Sequence, residues 1–243
     1  MEVLAVCHVH SKWSYDGSWS LAELAAKFRH RGCRVLMMTE HDRGFTTGRF
    51  EEYRQACAQV SSKEFLVMPG IEYSDALNRV HVLTWGPVPF LGESLPTDAM
   101  LQAVSAAQGV AVLAHPSRKD VWQSFTRQWA DKLLGIEVWN RKYDGWAPST
   151  TAPNLLNQTG ALPFVGLDFH TDRQSFPLAM ALDLQTSVSE ESVLDCLRAR
   201  RCEAYAFGAP LQRDLLRRAL PAMRVAETTR RTAARIARKA GVL

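Results

Sequence analysis

The chain has 243 residues, of which 47% are hydrophobic and 22% are charged, and its formal net charge is +4. This length suits one large α/β domain, and the composition excludes a coiled coil, a collagen-like repeat and a fully disordered chain. Nine Lys/Arg and two Asp/Glu fall in residues 211–243, whereas the rest of the chain carries 20 basic and 23 acidic residues. The excess positive charge therefore belongs to the C-terminal segment, and the main domain is not predicted to present a basic nucleic-acid surface.

Short β-type runs alternate with helix-type segments from the first residues onward. The predicted strands are Val3–Cys7, Arg34–Met38, Phe65–Met68, Val80–Thr84, Val110–Ala114, Gly135–Trp139, Pro163–Leu167, Leu178–Leu184 and Glu203–Phe207. The predicted helices are Leu21–His30, Phe50–Val60, Thr97–Gln108 and a segment from a Ser189 cap to about Arg200. Because several strands are almost continuously apolar, they favour a parallel sheet covered by helices. The repeated βα units predict an α/β barrel or a doubly wound sheet.

One domain boundary is predicted, near Pro210. Residues 1–210 form the main domain, and residues 211–243 form a C-terminal extension that is predicted to be helical and interrupted at Pro221. A segment of 33 residues can scarcely fold alone, so we expect an appendage to the main domain. Its arginines could bind a phosphate backbone, or they could form the solvated face of a helix whose Leu, Ala and Ile residues pack on the domain.

The five cysteines are widely spaced and form no C-x-x-C pair. This pattern predicts free thiols in a reducing, cytoplasmic compartment rather than a disulfide framework or a thiolate metal site. No window of 18 uninterrupted apolar residues exists, and the N-terminus has neither a basic start nor a full apolar core. We therefore expect no transmembrane helix, no signal peptide and no membrane partner.

Six of the seven histidines lie within or at the end of predicted strands: His8, His10, His41, His81, His115 and His170. The seventh, His30, is predicted to be a solvent-facing helix residue. In an α/β barrel the C-terminal ends of the strands converge on one face, which holds the active site. Side chains that are far apart in sequence would meet there.

The His8-x-His10 and Asp168-x-His170 pairs carry the metal-site hypothesis. Side chains alternate along a strand, so each pair is expected to direct both members to the same side. A lone strand histidine is more often a core residue than a ligand, but six within or at the end of strands, three of them in such pairs, point to one metal site. Mixed imidazole and carboxylate ligands favour Mn, Fe or Zn over Mg or Ca.

The motifs carry a resemblance to a known family. They are His8-Val9-His10, Tyr15-Asp16-Gly17, Thr39-Glu40-His41-Asp42, Gly70-Ile71-Glu72, His81, Ala114-His115-Pro116 and Gly166-Leu167-Asp168-Phe169-His170. In this order they resemble the four-motif pattern of the PHP (polymerase and histidinol phosphatase) superfamily, small stand-alone type. Gly135-Ile136-Glu137-Val138-Trp139-Asn140 is similar to a segment that precedes the last motif in such proteins.

The resemblance implies a distorted (β/α)7 TIM-like barrel with two or three divalent metal ions (Mn, Fe or Zn) and phosphoesterase activity. It implies three ligand sets: His8, His10, Glu72 and Asp168; the bridging Glu72 with His81 and His115; and Asp16, His41 and His170. Glu40 and Asp42 are expected either to orient His41 or to be solvated loop acids. No side chain is assigned as a nucleophile, since a metal-activated water would attack.

The predicted substrate is a small phosphomonoester or a nucleotide. Four side chains near the motifs are predicted to bind it: Arg118, Arg43, Arg173 and Asn140. A competing hypothesis is a 5′-directed nuclease or nucleotidase, and nucleic acid is a partner that stays open but is not favoured. Two further hypotheses are a metal-binding regulatory module without turnover and, well behind, a metal-dependent amidohydrolase. A G-x-S-x-G elbow and a phosphate-binding P-loop are both missing from the sequence.

Overall fold

A computed structural model describes residues 1–239. Its strands are β1 Glu2–Val9, β2 Cys33–Met38, β3 Glu40–His41, β4 Leu66–Met68, β5 Gly70–Ser74, β6 His81–Trp85, β7 Val110–Leu113, β8 Gly135–Asn140, β9 Leu162–Gly166, β10 Leu178–Asp183, β11 Cys202–Ala206 and β12 Ala209–Pro210. All nine predicted strands are confirmed, with ends shifted by at most two residues. The sequence analysis missed β3, β5 and β12, of which β3 and β12 have two residues each.

The strands form two six-stranded sheets, in the orders β12-β11-β10-β1-β2-β4 and β3-β5-β6-β7-β8-β9. The α/β class is thus confirmed, although the hydrogen bonds within residues 1–239 are those of two sheets and not of one closed barrel sheet. The expectation of a parallel sheet is wrong in part, because β10 and β11 run antiparallel to their neighbours, as does β6. Only residues 75–80 connect β5 to β6, which is too short for the crossover that a parallel pair requires.

The two sheets meet beside β1. Leu167 N donates to Cys7 O at 3.1 Å and His10 N donates to Phe169 O at 2.9 Å, so the chain after β9 runs along the end of β1. On the other side, β2 leads directly into β3, and β4 leads into β5. These junctions bring the ends of strands from both sheets to one region.

The helices are α1 Leu21–His30, α2 Thr47–Val60, α3 Thr97–Ala106, α4 Arg127–Ala130, α5 Ala152–Thr159, α6 Glu190–Arg198 and α7 Asp214–Lys239. A capping box begins α1, since Ser20 N donates to Glu23 Oε2 at 2.7 Å and Glu23 N donates to Ser20 Oγ at 3.3 Å. The sequence analysis missed α4 and α5. His30 is exposed at the end of α1, as predicted.

The C-terminal helix is confirmed, but the expected interruption at Pro221 is wrong, because α7 continues through that residue. A proline inside a helix costs about 3 kcal/mol. Leu216 and Met223 pack against the core on either side of Pro221, and this burial offsets the cost. The last four residues of the predicted extension, 240–243, lie outside the described residues.

The hydrophobic core lies between the sheets and their covering helices. Leu21, Leu24, Ala25 and Phe28 are the buried residues of α1, and their spacing puts them on one helix face. The five cysteines are free thiols, as predicted. Among residues 1–239, no helix combines the length and the apolar character needed to cross a bilayer.

Candidate metal centre

The structure brings all nine predicted ligand residues into one cluster around Glu72. This carboxylate lies on β5 and is 1% exposed. Five imidazoles have a ring nitrogen within 3.4 Å of it: His81 at 2.7 Å, His115 at 3.0 Å, His41 at 3.1 Å, and His8 and His10 at 3.4 Å each. A buried carboxylate that is surrounded by imidazoles has the composition of a metal-binding site.

Asp168 and Asp16 connect the remaining members of the cluster. Asp168 Oδ1 lies 3.2 Å from His170 Nδ1, and its two oxygens lie 3.7 to 3.8 Å from nitrogens of His8, His10 and His115. Asp16 lies 3.1 Å from His170 Nε2 and 3.4 Å from His41 Nε2. The potential ligand atoms of three groups lie within 4.8 Å of one another: His10, His41 and His170; His8, Glu72 and His115; and His8, His10 and Asp168.

Unpartnered nitrogens support a cation at this place. His8 Nε2, His10 Nε2 and His115 Nδ1 are buried and have no hydrogen-bond partner within residues 1–239. A buried polar atom without a partner costs about 1–3 kcal/mol. Coordination of a cation by His8 Nε2 and His10 Nε2, each 3.4 Å from Glu72, would remove that cost for these two nitrogens, so the donor set fits a divalent metal.

His81 reaches the cluster in a way that the sequence analysis did not anticipate. It is the first residue of β6, not the last residue of a strand. Because β6 runs antiparallel to β5, its N-terminal end lies where the parallel strands have their C-terminal ends, and His81 pairs with Ser74. His81 therefore begins its strand, whereas the other ligands were expected at strand ends, but it lies in the cluster as predicted.

The alternation argument for His8 and His10 also needs a correction. The register between β1 and β2 shifts between Cys7 and Val9, and His8 has a positive φ of 60°. His10 follows the last residue of β1. Both rings still face Glu72, because this irregularity and not the regular pleat sets their direction. His115 (φ 26°) and Asp168 (φ 48°) also have positive φ angles. Such backbone conformations are unfavourable for residues other than glycine, and in proteins they are concentrated at functional sites.

Glu137 orients two of the histidines and is a residue that the sequence analysis quoted but did not assign. Its Oε1 accepts from His8 Nδ1 at 2.8 Å, and its Oε2 accepts from His115 N at 2.8 Å. Since an ionised carboxylate can only accept, His8 Nδ1 carries the proton and Nε2 is free to coordinate. At Gly166 a Cβ would overlap Glu137 Oε1, so a larger residue would displace this carboxylate.

Of the two roles predicted for Glu40 and Asp42, that of solvated loop acids is wrong, whereas Glu40 does support His41 through Ser14, whose hydroxyl donates to Glu40 Oε2 and accepts from His41 N at 3.0 Å. The two carboxylates are buried at 0% and 2% exposure, so they are not solvated, and neither hydrogen-bonds to the His41 ring in the described structure. Glu40 accepts from Ser11 N at 3.0 Å and so holds the loop after β1. Asp42 accepts from Ser74 N at 3.1 Å at the end of β5.

The charges of the cluster balance one another. Burial raises the pKa of Glu72, but His81, His8 and the other imidazoles outweigh it and lower the pKa well below its usual range. Burial likewise opposes the lowered pKa of Asp168, which is brought to about 2, chiefly by His8 and Lys142. Burial lowers the pKa of His10 and of His115 below the usual value. For His8 and His41, in contrast, the neighbouring carboxylates outweigh burial and raise the pKa, to about 10 for His41, so binding of a metal would release protons from these two imidazoles.

A cavity of about 390 Å³ opens above the cluster. Arg43 and Arg118, two of the four residues predicted to bind substrate, line it together with Lys142 and Tyr143. Arg118 Nε donates to Tyr143 Oη at 3.0 Å, which fixes the guanidinium at the rim. The opening thus presents three cations beside the carboxylates of the cluster.

The other two residues predicted to bind substrate lie elsewhere. Arg173 is exposed and is not among the residues that line this cavity. Asn140 is fully buried, and its amide donates to Glu137 Oε2 at 2.9 Å. In this position Asn140 supports the carboxylate behind His8 and does not face the opening.

Lys142 is a residue that the sequence analysis missed. Its Nζ lies 3.1 Å from Asp168 Oδ1 and within 3.5 Å of both ring nitrogens of His170. Its position in the sequence could have indicated this role, because Lys142 follows the end of β8 by two residues and the ends of neighbouring strands supply most of the cluster. Its long side chain allows it to reach the cluster from that position.

Three solved structures share the overall arrangement. PsfC from Pseudomonas syringae PB-5123 is 17% identical over 96% of this chain and 99% of its own, with a TM-score of 0.62. The lesion-specific endonuclease PfuEndoQ from Pyrococcus furiosus is 13% identical over 82% of this chain and 56% of its own, with a TM-score of 0.57. A candidate metal-dependent phosphoesterase from Bifidobacterium adolescentis is 18% identical over 80% of this chain and 95% of its own, with a TM-score of 0.53.

These similarities agree with the resemblance that the motifs predict. The chain therefore has the fold that these three structures share. At these identities the structural likeness establishes the fold and not the activity. No protein-family model matches the chain, and no curated protein matches it. A function for the chain must therefore be inferred from its own clustered side chains.

Proposed function

We propose that this protein is a metal-dependent phosphoesterase that hydrolyses a phosphomonoester or a nucleotide. One observation carries the proposal: nine histidine and carboxylate side chains from separate motifs form the cluster around Glu72, and two buried imidazole nitrogens among them, His8 Nε2 and His10 Nε2, have no partner in residues 1–239. A cluster without a metal-binding role would leave these nitrogens desolvated at a cost in stability. Lys142, Arg118 and Arg43 at the opening supply the positive charge that a phosphate requires.

The residues would hold two or three divalent ions (Mn, Fe or Zn) in three sets. His8, His10, Glu72 and Asp168 hold the first ion. Glu72, His81 and His115 hold the second, and Asp16, His41 and His170 hold the third. Such ions lower the pKa of coordinated water to roughly 7 and neutralise charge on the phosphoryl oxygens.

The protein's own side chains position the substrate. The Arg43 guanidinium can bind phosphate oxygens in a bidentate manner at the rim of the cavity, whereas Arg118, whose nitrogens donate to Tyr143, Asn78 and Arg79, contributes mainly its charge. The Lys142 ammonium lies deeper, beside Asp168, where it can contact the same phosphate. Glu137 keeps His8 in one tautomer, so that its coordinating nitrogen does not need to reorient.

We further propose that residues 1–210 form a distorted (β/α)7 barrel and that residues 211–243 are its helical extension. Because β2 leads into β3 and β4 leads into β5, each of these two pairs can count as one barrel strand. Together with β1, β6, β7, β8 and β9 they give seven strands, which supports this proposal. The parallel bridge between Val9 and Phe169 supports contact between the first and the last of them.

A metal analysis followed by a hydrolysis screen tests the proposed function. The screen uses nucleotides, sugar phosphates and short oligonucleotides, with Mn²⁺ or Zn²⁺ added. We expect hydrolysis by the wild type and its loss in His8→Ala and Asp168→Ala, whereas His30→Ala, which changes an exposed histidine, keeps full activity. Bound metal without hydrolysis would instead favour a regulatory module, and unchanged activity in either site variant would remove that residue from the site.

A further inference from the structure

A second and larger cavity lies next to the opening of the metal centre. Its volume is about 840 Å³, and it lies between residues 117–119, the loop at 143–150 and α7. Arg118 and Tyr143 line both this cavity and the one above the metal centre, so the two adjoin. The Tyr143 ring also lies against His115, with ring centroids 4.6 Å apart and the ring planes tilted by 54°. A molecule held at the metal centre can therefore extend into the second cavity.

The α7 wall of this cavity is held in place by Glu227. This carboxylate is 5% exposed, and it accepts from Trp146 N at 3.1 Å and from Arg230 Nε at 2.8 Å. Gly145 has a positive φ of 79°, and a Cβ there would overlap Glu227 Oε1. Gly145 thus permits the close approach between the loop at 143–150 and α7. As a result, α7 forms one wall of the cavity.

The cavity has an excess of positive charge. Arg118, Lys119, Arg224 and Arg231 line it, against the carboxylates of Asp144 and Glu227. Arg231 pairs with Glu227, but within residues 1–239 no carboxylate lies within ion-pair distance of Arg118, Lys119 or Arg224. Serine and threonine hydroxyls complete the lining. Such a surface favours an anionic ligand that also accepts hydrogen bonds.

We propose that this cavity binds a second phosphate group of the substrate, while the phosphate to be cleaved lies at the metal centre. This inference rests on the proposed function and narrows its substrate class to organic phosphates with two phosphate groups. The volume lies within the range of ligand pockets, about 300–1,000 Å³, and so admits a sugar or a nucleotide between the two phosphates. Arg224 on α7 is the residue that distinguishes such substrates from simple phosphomonoesters.

Arg224→Gln tests this assignment, because Arg224 is exposed and makes no side-chain hydrogen bond or ion pair within residues 1–239 that the substitution would break. Arg235→Gln is the matched control, since it removes the same charge from an exposed position of α7 outside the cavity. Two probe pairs separate the sources of a second phosphate: fructose 1,6-bisphosphate against fructose 6-phosphate, and a 5′-phosphorylated dinucleotide against its 5′-mononucleotide.

We expect Arg224→Gln to raise KM roughly fivefold for at least one two-phosphate probe, with kcat and the KM of its one-phosphate partner unchanged. Arg235→Gln leaves all these values unchanged. An effect on the fructose phosphates would identify the substrate as a bisphosphorylated metabolite, and an effect on the nucleotides would identify it as a nucleic-acid end. In each probe pair, the KM of the two-phosphate probe is compared with that of its one-phosphate partner. If this ratio is the same for Arg224→Gln and the wild type in both pairs, the inference is overturned while the hydrolase proposal stands.

A binding measurement keeps the test independent of turnover. Calorimetric titration with the same probes in EDTA reports anion binding without metal. We expect Arg224→Gln to weaken the binding of a two-phosphate probe by a similar factor, and Arg235→Gln to have no effect. If no probe is hydrolysed but this difference is found, the proposed reaction fails and the anion site remains. Equal binding by wild type and Arg224→Gln overturns the anion site.

Discussion

Glu72 links most of the metal centre, because five imidazoles lie within 3.4 Å of its two oxygens. The motifs predicted this residue and its partners, since each stands in a short pattern of ligand-type residues. Glu137 and Lys142 were not predicted as functional residues. Their roles depend on distances across the fold, to His8 and to Asp168, which no local pattern contains.

Glu137→Gln tests whether the orientation of His8 matters for metal binding. The two oxygens of Glu137 accept separately from His8 Nδ1 and His115 N, whereas a glutamine amide has one acceptor oxygen and an NH2 donor, so at least one of these hydrogen bonds would be lost. We expect metal affinity to fall by about 10- to 100-fold, measured by calorimetric titration of the EDTA-treated protein. Glu203→Gln, on an exposed part of β11, is the control. Wild-type affinity in Glu137→Gln would show that His8 does not need this partner.

Lys142→Gln tests the role of the ammonium beside Asp168. If Lys142 contacts the phosphate, its loss removes a charge-assisted hydrogen bond, and kcat/KM falls by roughly tenfold or more. Steady-state kinetics on the best substrate of the screen measures this effect. Lys12→Gln removes an exposed charge from the loop after β1 and should leave kcat/KM unchanged. A wild-type kcat/KM in Lys142→Gln would contradict the assignment.

At the scale of elements, composition and capping predicted the long segments well, and local geometry explains the failures. Pro69 and Gly70 have the composition of a turn, yet Gly70 begins strand β5, in which Ile71 and Tyr73 are buried in the core. The antiparallel direction of β6 depends on the short connection after β5. In α7, contacts with the main domain outweigh the helix-breaking tendency of Pro221.

The attachment of α7 predicts a pH-dependent stability. Burial alone would raise the pKa of Glu227, but Arg230, Arg231 and Trp146 N lower it from 4.5 to about 2. The carboxylate therefore stabilises the fold above pH 4.5, and this contribution is lost as the pH falls toward 2, because the unfolded chain takes up the proton first.

Glu227→Gln should accordingly destabilise the protein by about 1–2 kcal/mol at pH 7, allowing for solvent screening. The difference from wild type should shrink as the pH is lowered from 5 to 3. Urea unfolding followed by circular dichroism at several pH values measures it, and Glu191→Gln on α6 is the exposed control. A difference that stays constant between pH 7 and pH 3 would show that Glu227 is not the anchor.

At the scale of the whole molecule, two sheets meet so that strand ends from both surround one cluster. The sequence predicted the α/β class and the meeting of the motifs, but it did not predict two sheets with antiparallel members. Buried strands such as β7 and β8 have similar apolar sequences whether their neighbours run parallel or antiparallel. The relative direction of neighbouring strands is therefore known only from the tertiary structure.

The metal content of the protein decides whether the cluster around Glu72 binds divalent ions. EDTA-treated wild type is incubated with Mn²⁺ or Zn²⁺, freed of unbound ions and analysed by mass spectrometry for metal per chain, beside Glu72→Gln and His30→Ala. We predict two or three ions per chain for the wild type and His30→Ala, and at least one ion fewer for Glu72→Gln. A wild-type protein that retains less than one ion per chain, or a Glu72→Gln variant that retains as many as the wild type, would contradict the account.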